Sequence, residues 1–424
     1  MSNNHKLLEA KGESLSVWIL AFITSFVLNL TNGFSTVRLT DATDYIKQAV
    51  EIQYGLDYIF QNPEDFSHNL PFSFLIHLTF EIIGSNSLIL FKILTIFTFS
   101  YSALLFNKIL KVLELDIRFR VAVSCLFIFN PFLLVSTIDV QTECFVTMIV
   151  LQWLLLYLRV KEAESIKNGT VYGIFILGLF AIILRPNMFL VFLVVLVIFY
   201  KGNSWNKLKQ SASLISISVF TLIFTAYELF LTKLNGGFVF LANYGGIGAA
   251  YTCDSEFVPQ YLGFASENRN NQINDWFNSV SNTDAQNQFF SLSEINSKMY
   301  GTGISKCLED PMKSFFVLIA KTYSIWRPHT VVGAYGISVA LISFLLWAPC
   351  LYFTYSFLKR KQKSVLEKRL STYFIAISLS FMPSLLITIN QVRHRVSFAE
   401  PFFLIFLGIG LSKLMKLSKR NVSN

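Results

Sequence analysis

Long apolar runs, each about as long as a bilayer is thick, dominate the chain, and the connections between them hold most of its charge. A helix rises 1.5 Å per residue, so about 20 apolar residues cross the hydrocarbon core. Backbone groups in lipid must hydrogen-bond internally, which makes helices the default spans. The sequence therefore predicts an all-α polytopic membrane protein with about ten transmembrane helices. The predicted spans lie near residues 15–34, 87–107, 121–138, 142–158, 169–184, 187–200, 211–232, 334–358, 371–389 and 399–412.

Composition supports the membrane assignment and argues against a nucleic-acid partner. Only 14% of the residues are charged and the mean hydropathy is +0.52, whereas about a quarter of the residues in a soluble domain are charged. The formal net charge is +9, but the basic residues are spread between the apolar runs. No small-residue cleavage site follows the first run, so we interpret that run as a retained span.

The distribution of Lys and Arg predicts which side of the membrane each connection occupies. One set of connections, which includes both termini, holds 22 basic residues, and the opposite set holds 12, of which seven lie in one long loop. The positive-inside rule discounts long loops, so the first set is predicted to be cytoplasmic. This assignment requires residues 169–200 to form two short helices that meet at Arg185-Pro186-Asn187. That turn is then expected below the outer membrane surface.

The outer face carries two larger segments. The first, residues 35–86, is expected to hold two interfacial helices, with Tyr45, Ala49, Ile52 and Leu56 as one stripe and Ser73, His77 and Glu81 as another. In the second, Asp310-Pro311 resembles a helix N-cap followed by proline and predicts a helix to about Trp326. Three regions follow from this organisation: a transmembrane core at 1–232 that includes the first outer segment, an outer loop region at 233–333 and C-terminal transmembrane helices at 334–424.

Two cysteines, Cys253 and Cys307, both fall in the long outer loop. An oxidising compartment would allow them to form a disulfide. The sequence leaves open whether they pair, because it does not supply the geometry.

Charged and polar residues at the outer boundary are few, and each has a functional and a structural interpretation. Asp41 is a general base or a helix N-cap, and Glu143 is a catalytic acid or a first-turn acid that favours the helix dipole. Arg185 is a phosphate clamp or a helix C-cap. Cations before the last span bind either a substrate phosphate or a lipid headgroup. The candidate site residues are Asp41, Asp44, Tyr45, His68, Lys92, Glu143, Arg185, Arg393, His394 and Arg395.

The order of several short motifs resembles the C-type glycosyltransferase superfamily, particularly the branch of protein O-mannosyltransferases and lipid A aminoarabinose transferases. The motifs are Asp41-Ala42-Thr43-Asp44-Tyr45 with Ala49, the segment from Pro71 to Gly84-Ser85, Thr142-Glu143, Arg185-Pro186, and Arg393-His394-Arg395 with Pro401-Phe402. The basic residue that relatives acting on lipid A carry before their prolines is missing, and His68 stands near that place. Relatives of the O-mannosyl type carry an appended lumenal domain; none is expected from this sequence, so the long outer loop is expected to shape the acceptor site.

The resemblance implies an inverting transfer of a sugar from a polyprenyl-phosphate donor to a glycan, lipid or protein acceptor, on the periplasmic face of a cell inner membrane. Asp41 would then act as the base. No cofactor beyond the donor is expected, and no metal, since no acidic cluster of ligand spacing occurs. Two alternatives stay open: a polysaccharide polymerase, and a lipid-linked sugar flippase or transporter. The sequence identifies neither the sugar nor the acceptor nor the oligomeric state.

Overall fold

The computed structural model is helical in every ordered element of the residues it describes, which are 3–37, 40–66, 69–160, 168–200, 211–238, 253–255, 258–262, 292–327, 332–387 and 397–422. These ranges contain no strand, so the predicted all-α class is confirmed for them. The helices are α1 Asn3–Asn32, α2 Thr40–Glu51, α3 Leu56–Gln61, α4 Leu70–Ile83, α5 Ile89–Val112, α6 Ile117–Ile128, α7 Pro131–Ile138, α8 Glu143–Arg159, α9 Asn168–Leu184, α10 Met188–Tyr200, α11 Ser211–Leu234, α12 Val258–Leu262, α13 Leu292–Glu309, α14 Pro311–Trp326, α15 Val332–Lys359, α16 Val365–Ile387 and α17 Glu400–Val422.

Fewer helices are long and apolar enough to cross a membrane than the ten predicted spans. Among the described residues, 4 helices meet that requirement, or 5 if one bent pair counts as a single span. The others are short, such as α9 with 17 residues and α10 with 13, or carry charges near their ends. The four are Gly12–Asn32, Ile89–Val112, Ser211–Leu234 and Leu341–Lys359.

The third predicted span is wrong as a continuous helix, because the chain breaks it at Asn130. Helices α6 and α7 meet at an angle of 46°. The Asn130 side chain caps α7, accepting hydrogen bonds from the backbone N–H of Phe132 at 3.0 Å and of Leu133 at 3.5 Å. Pro131 at the first helical position lacks an N–H to continue α6. Cap and proline together start a new helix inside an apolar run.

The predicted pair of short helices at 169–200 is confirmed. Helix α9 ends at Leu184 and α10 begins at Met188, with Arg185-Pro186-Asn187 as the turn. The two helices approach closely at Gly178, where an added Cβ would lie 2.2 Å from Phe192 Cε2. Phe192 is buried against Trp153, Phe175 and Phe220, so its ring has little room to move.

The helical bundle has two ends with different charged groups. Lys92 and Lys111 lie near opposite ends of α5, separated by about 28 Å of helix. At the Lys111 end, Glu13 pairs with Lys111 at 3.4 Å and with Arg120 at 2.8 Å. At the opposite end lie the start of α8 and the turn that follows α9, which carry Glu143 and Arg185. We call this second end the rim.

The first outer segment packs α2 against α4 at the rim. Ser73 donates a hydrogen bond to Gln48 Oε1 at 2.8 Å, and His77 Nδ1 lies 3.0 Å from the Ala49 carbonyl oxygen. The predicted stripe on α2 is wrong at its end: the helix stops at Glu51, and Leu56 is 63% exposed. A 3₁₀ turn and Gly55, whose φ is 86°, change the chain direction there, which only glycine accommodates easily.

The outer loop region contains a disulfide and a capped helix, and the sequence allows both. Cys253 and Cys307 form a disulfide across 54 residues of chain, and the adjacent Asp254 and Lys306 pair at 3.3 Å. Asp310 caps α14 by accepting a hydrogen bond from the Lys313 N–H at 2.9 Å, so the predicted helix from Pro311 to Trp326 is confirmed. Trp326 packs on Phe374 and Phe403, which anchors α14 against α16 and α17.

Replacing Gly178 by alanine tests the close approach of α9 and α10. The new Cβ would collide with Phe192, and overpacking of this kind costs about 1–3 kcal/mol. Gly173→Ala in the same helix is the matched control, because nothing lies within 4 Å of its added Cβ. We expect Gly178→Ala to lower the thermal midpoint in nanodiscs and Gly173→Ala to leave it unchanged or raised, since alanine favours helix. Equal midpoints for the two variants would contradict the packing.

Candidate active site

One apolar cluster joins five helices at the rim, and we call it the rim cluster. It consists of buried residues from α2 and α4, from the starts of α5 and α8, and from the end of α9. Its members are Ala42, Ala49, Phe72, Ile76, Phe80, Leu88, Phe91, Val140, Phe145 and Leu184. Several predicted site residues lie within two positions of cluster members: among them, Asp41 precedes Ala42, Glu143 stands two residues before Phe145, and Arg185 follows Leu184. The cluster thus collects segments that lie far apart in the chain.

A buried ion pair connects α8 to the turn after α9. Arg185 Nη2 lies 3.3 Å from Glu143 Oε1, and the two side chains are 12% and 4% exposed. The same guanidinium reaches Ser397 Oγ at 3.4 Å through Nη1. Glu143 begins α8, where the helix dipole also favours a negative charge. Arg185 therefore connects the start of α8, 42 residues before it, to Ser397, 212 residues after it.

Lys92 lies at the same end but points to backbone carbonyls. Its side chain is fully buried, and its ammonium donates to the carbonyl oxygens of Thr36 at 2.6 Å and Gly33 at 3.4 Å. These carbonyls belong to the linker between α1 and α2. Lys92 holds that linker beside α5, so its contacts position α2, while its predicted role in binding substrate stays a prediction.

A second polar contact ties the first outer segment to the Arg185 turn. Asn69, buried before α4, donates from Nδ2 to the backbone carbonyl of Leu184. That carbonyl lies at the C-terminus of α9, where the last helical carbonyls lack helical partners. Asn69 therefore fixes the start of α4 to the residue that precedes Arg185.

The other predicted site residues divide into described and undescribed groups. The backbone of Asp41 lies in the first turn of α2, and its side chain falls outside the described part. Asp44 is half-buried one turn later, and the Tyr45 ring packs edge-on against Phe72 with centroids 5.0 Å apart. His68, Arg393, His394 and Arg395 lie outside the described residues.

An apolar groove of about 570 Å³ opens beside this site. It runs between the first outer segment and the ends of α9 and α11. Its wall at Ile183 is two residues from Arg185, and the lining also includes His77 and Tyr227, whose side chains carry polar atoms. The groove is lined by Ile52, Gly55, Leu56, Ile59, Leu70, Pro71, Phe74, His77, Ile183, Tyr227 and Phe230.

Two further cations are buried in the outer loop region. Arg327 donates from Nη1 to the Tyr261 carbonyl at 3.1 Å, and Lys321 Nζ lies 5.9 Å from the centre of the Tyr261 ring. Burial lowers the pKa of Lys321 to about 7, because an apolar environment disfavours its charged form. Both residues hold α12 against α14.

Sequence reasoning missed three residues that organise the site: Asn69, Asn130 and Glu400. Each is buried and polar within or beside an apolar run, and a buried polar group is hydrogen-bonded in most proteins. This pattern is the signal that could have found them. Asn130 donates from Nδ2 to Glu400 Oε2 at 2.7 Å.

No group of three or more His, Cys, Asp or Glu side chains is positioned to hold a metal ion within the described ranges. Comparison of the chain with family models, with curated proteins and with solved structures finds no match. The site must therefore be interpreted from its own chemistry.

A double-mutant cycle on Glu143 and Arg185 tests the ion pair. Each alanine variant leaves a buried charge without its partner, which destabilises by about 3 kcal/mol. The double variant should lose less free energy of unfolding than the two single variants together, by about 1–3 kcal/mol. Reversible denaturant unfolding in mixed micelles measures these energies. The control cycle uses Lys47 and Glu51, a more exposed pair at 3.6 Å, where coupling of about 0.3–0.5 kcal/mol is expected. Equal coupling in the two cycles would refute the buried pair.

Proposed function

We propose that the chain is an inverting glycosyltransferase that moves a sugar from a polyprenyl-phosphate donor to an acceptor outside the cell membrane. The observation that carries the proposal is the rim cluster, which brings the acid-bearing helix α2 together with the Glu143–Arg185 pair. Four of the five motifs that resemble the C-type glycosyltransferases come from α2, α4, the start of α8 and the end of α9, which meet in this cluster. A base and a guanidinium at one end of a membrane bundle suit transfer from a phosphate-linked sugar.

The proposed reaction gives different roles to the carboxylate of Asp41 and the guanidinium of Arg185. An acceptor hydroxyl oxygen attacks the anomeric carbon of the donor sugar while the bond from that carbon to the phosphate oxygen breaks. Asp41 takes the hydroxyl proton as general base. Polyprenyl phosphate leaves with the bonding electrons, and Arg185 stabilises the charge that develops on it. Attack from the face opposite the phosphate inverts the anomeric centre.

The apolar groove supports a donor with a long hydrocarbon chain. Its lining is mostly Ile, Leu and Phe, with Ile183 close in sequence to Arg185. A lipid tail in this groove would bring its phosphate toward the guanidinium. Burial of such a tail is favourable by about 0.8 kcal/mol per methylene, which supplies binding energy that a free sugar phosphate lacks.

The proposed location is a cell inner membrane that the chain crosses about ten times, with both termini in the cytoplasm and the rim on the periplasmic face. The shorter helices α8, α9 and α10 count as spans in this arrangement. The disulfide between Cys253 and Cys307 supports it, because disulfides persist in oxidising compartments. The excess of Lys and Arg on the opposite side supports the same orientation.

A flippase or transporter of lipid-linked sugars is the second candidate. The 46° break between α6 and α7 favours it, since transporters use discontinuous helices at their binding sites. A transporter has no need of a general base, so Asp41 distinguishes the two functions.

Replacing Asp41 by asparagine should abolish sugar transfer and leave membrane insertion intact. Loss of a general base lowers the rate by about 10²–10⁴-fold. Asp44→Asn tests the neighbouring acid, and Asp57→Asn in the exposed first turn of α3 is the control. Mass spectrometry of cell-envelope glycans and a membrane fractionation blot measure the two outcomes. Normal glycans with Asp41→Asn would rule out this mechanism.

The proposed orientation predicts which cysteines react from outside intact cells. A membrane-impermeant maleimide should label Cys253 and Cys307 only after reduction of their disulfide. The control is a cysteine placed at Arg118, an exposed residue near Lys111 at the opposite end of the bundle, which should react only after the cells are lysed. The reverse labelling pattern would invert the topology.

A further inference from the structure

Two helix breaks face the same short segment of chain. One break is at Asn130, between α6 and α7, and the other is the Arg185 turn between α9 and α10. Asn130 contacts Glu400 and Arg185 contacts Ser397. The segment Ser397–Glu400, which we call the entry segment, leads into α17 and lies just after Arg395 in sequence. It is thus held at each of its ends by a side chain from a different break.

The Asn130–Glu400 hydrogen bond is buried on both sides. The exposed fractions of Asn130 and Glu400 are 1% and 0%, and Nδ2 lies 2.7 Å from Oε2. A hydrogen bond to a carboxylate is about twice as strong as one between neutral groups. Asn130 uses its other atom, Oδ1, to cap α7. A single side chain therefore fixes both the bend of the broken helix and the start of the last helix.

Packing around the entry segment is tight between these two contacts. Phe398 stacks on Phe381 of α16 with ring centroids 4.1 Å apart and planes 10° from parallel. Ser397, Phe398, Ala399 and Glu400 are all buried. A shift of Glu400 would therefore move Ser397, and with it the second hydrogen bond of Arg185.

We propose that Asn130 and Glu400 are positioning residues that hold the entry segment against Arg185 and so set the geometry of the donor-phosphate site. The link to donor phosphate rests on the proposed glycosyltransferase function. The hold on the entry segment does not depend on it. Neither residue touches substrate in this scheme, and both act through Ser397 and Arg185.

Exchanging the amide of Asn130 and the carboxylate of Glu400 distinguishes the positioning role from the capping of α7 alone. Asn130→Asp keeps an oxygen to cap α7 but cannot donate to Glu400, and it sets two carboxylates against each other. The double variant Asn130→Asp with Glu400→Gln restores one hydrogen bond in the reverse direction, because the amide introduced at position 400 donates to the new carboxylate. Rescue by the second change would show that the pair itself matters.

The first measurement reports how well the entry segment is shielded from solvent. In a Ser397→Cys background the thiol should resist maleimide in nanodiscs, because the native side chain is fully buried. We expect Asn130→Asp to speed labelling by about tenfold, the size of effect that a lost buried hydrogen bond produces, and the double variant to restore protection. Unchanged protection in Asn130→Asp, or no rescue by the double variant, would overturn the positioning role.

The second measurement uses decaprenyl phosphate as the probe and the full chain with native Ser397 in nanodiscs. We expect Asn130→Asp to weaken its binding by about tenfold and the double variant to bind within about threefold of wild type. Equal binding by wild type and Asn130→Asp would overturn the link to the phosphate site. Wild-type protein that does not bind the probe would overturn the proposed function, and the labelling result would still decide the positioning role.

Discussion

The buried contact between Glu143 and Arg185 is the interaction on which the arrangement of the rim depends. A guanidinium in a low-dielectric environment is costly unless a carboxylate and further hydrogen bonds satisfy it. Glu143 and Ser397 supply those partners from α8 and from the entry segment. The requirement to satisfy one cation therefore joins three distant parts of the chain, and it also explains why an arginine is tolerated where α9 breaks.

The same pair suits a site that exchanges partners. The contacts of Arg185 measure 3.3 Å and 3.4 Å, longer than the roughly 2.7–2.9 Å typical of a strong charge-assisted bond. A phosphate with two acceptor oxygens matches the guanidinium fork better than this single long contact does. When a donor phosphate binds, Glu143 would give up one of its contacts while its position at the start of α8 still stabilises its charge. Under the proposed function, Arg185 would thus contact Glu143 before the donor binds and the donor phosphate afterwards.

Local features of the fold were predictable from the sequence, and long-range partners were not. The Arg185-Pro186 break follows from the count of Lys and Arg on each side of the membrane, and the Asp310 cap follows from residue types within one helical turn. The Asn130-Pro131 break carries the same kind of local signal, but an apolar run on both sides favoured one continuous span. Glu400 and Asn69 find partners 270 and 115 residues away, and one sequence alone holds no record of such contacts. Lys92 lies at the same end as Glu143 and Arg185, whereas its backbone partners depend on how the α1–α2 linker folds back.

The chemistry of the two helix breaks favours a fixed site over a moving one. In a transporter, the backbone groups freed at a helix break bind the substrate or the coupling ion. Here Asn130 divides its two polar atoms between the α7 cap and Glu400, and Arg185 binds two side chains across the rim. Each break is thereby attached to α17 through the entry segment. Opening either one would leave buried polar groups unsatisfied, at about 1–3 kcal/mol each. A rigid rim is what an enzyme needs to hold a phosphate and a base in register, since misplacement of reacting groups by about 1 Å lowers rates by about 10²-fold.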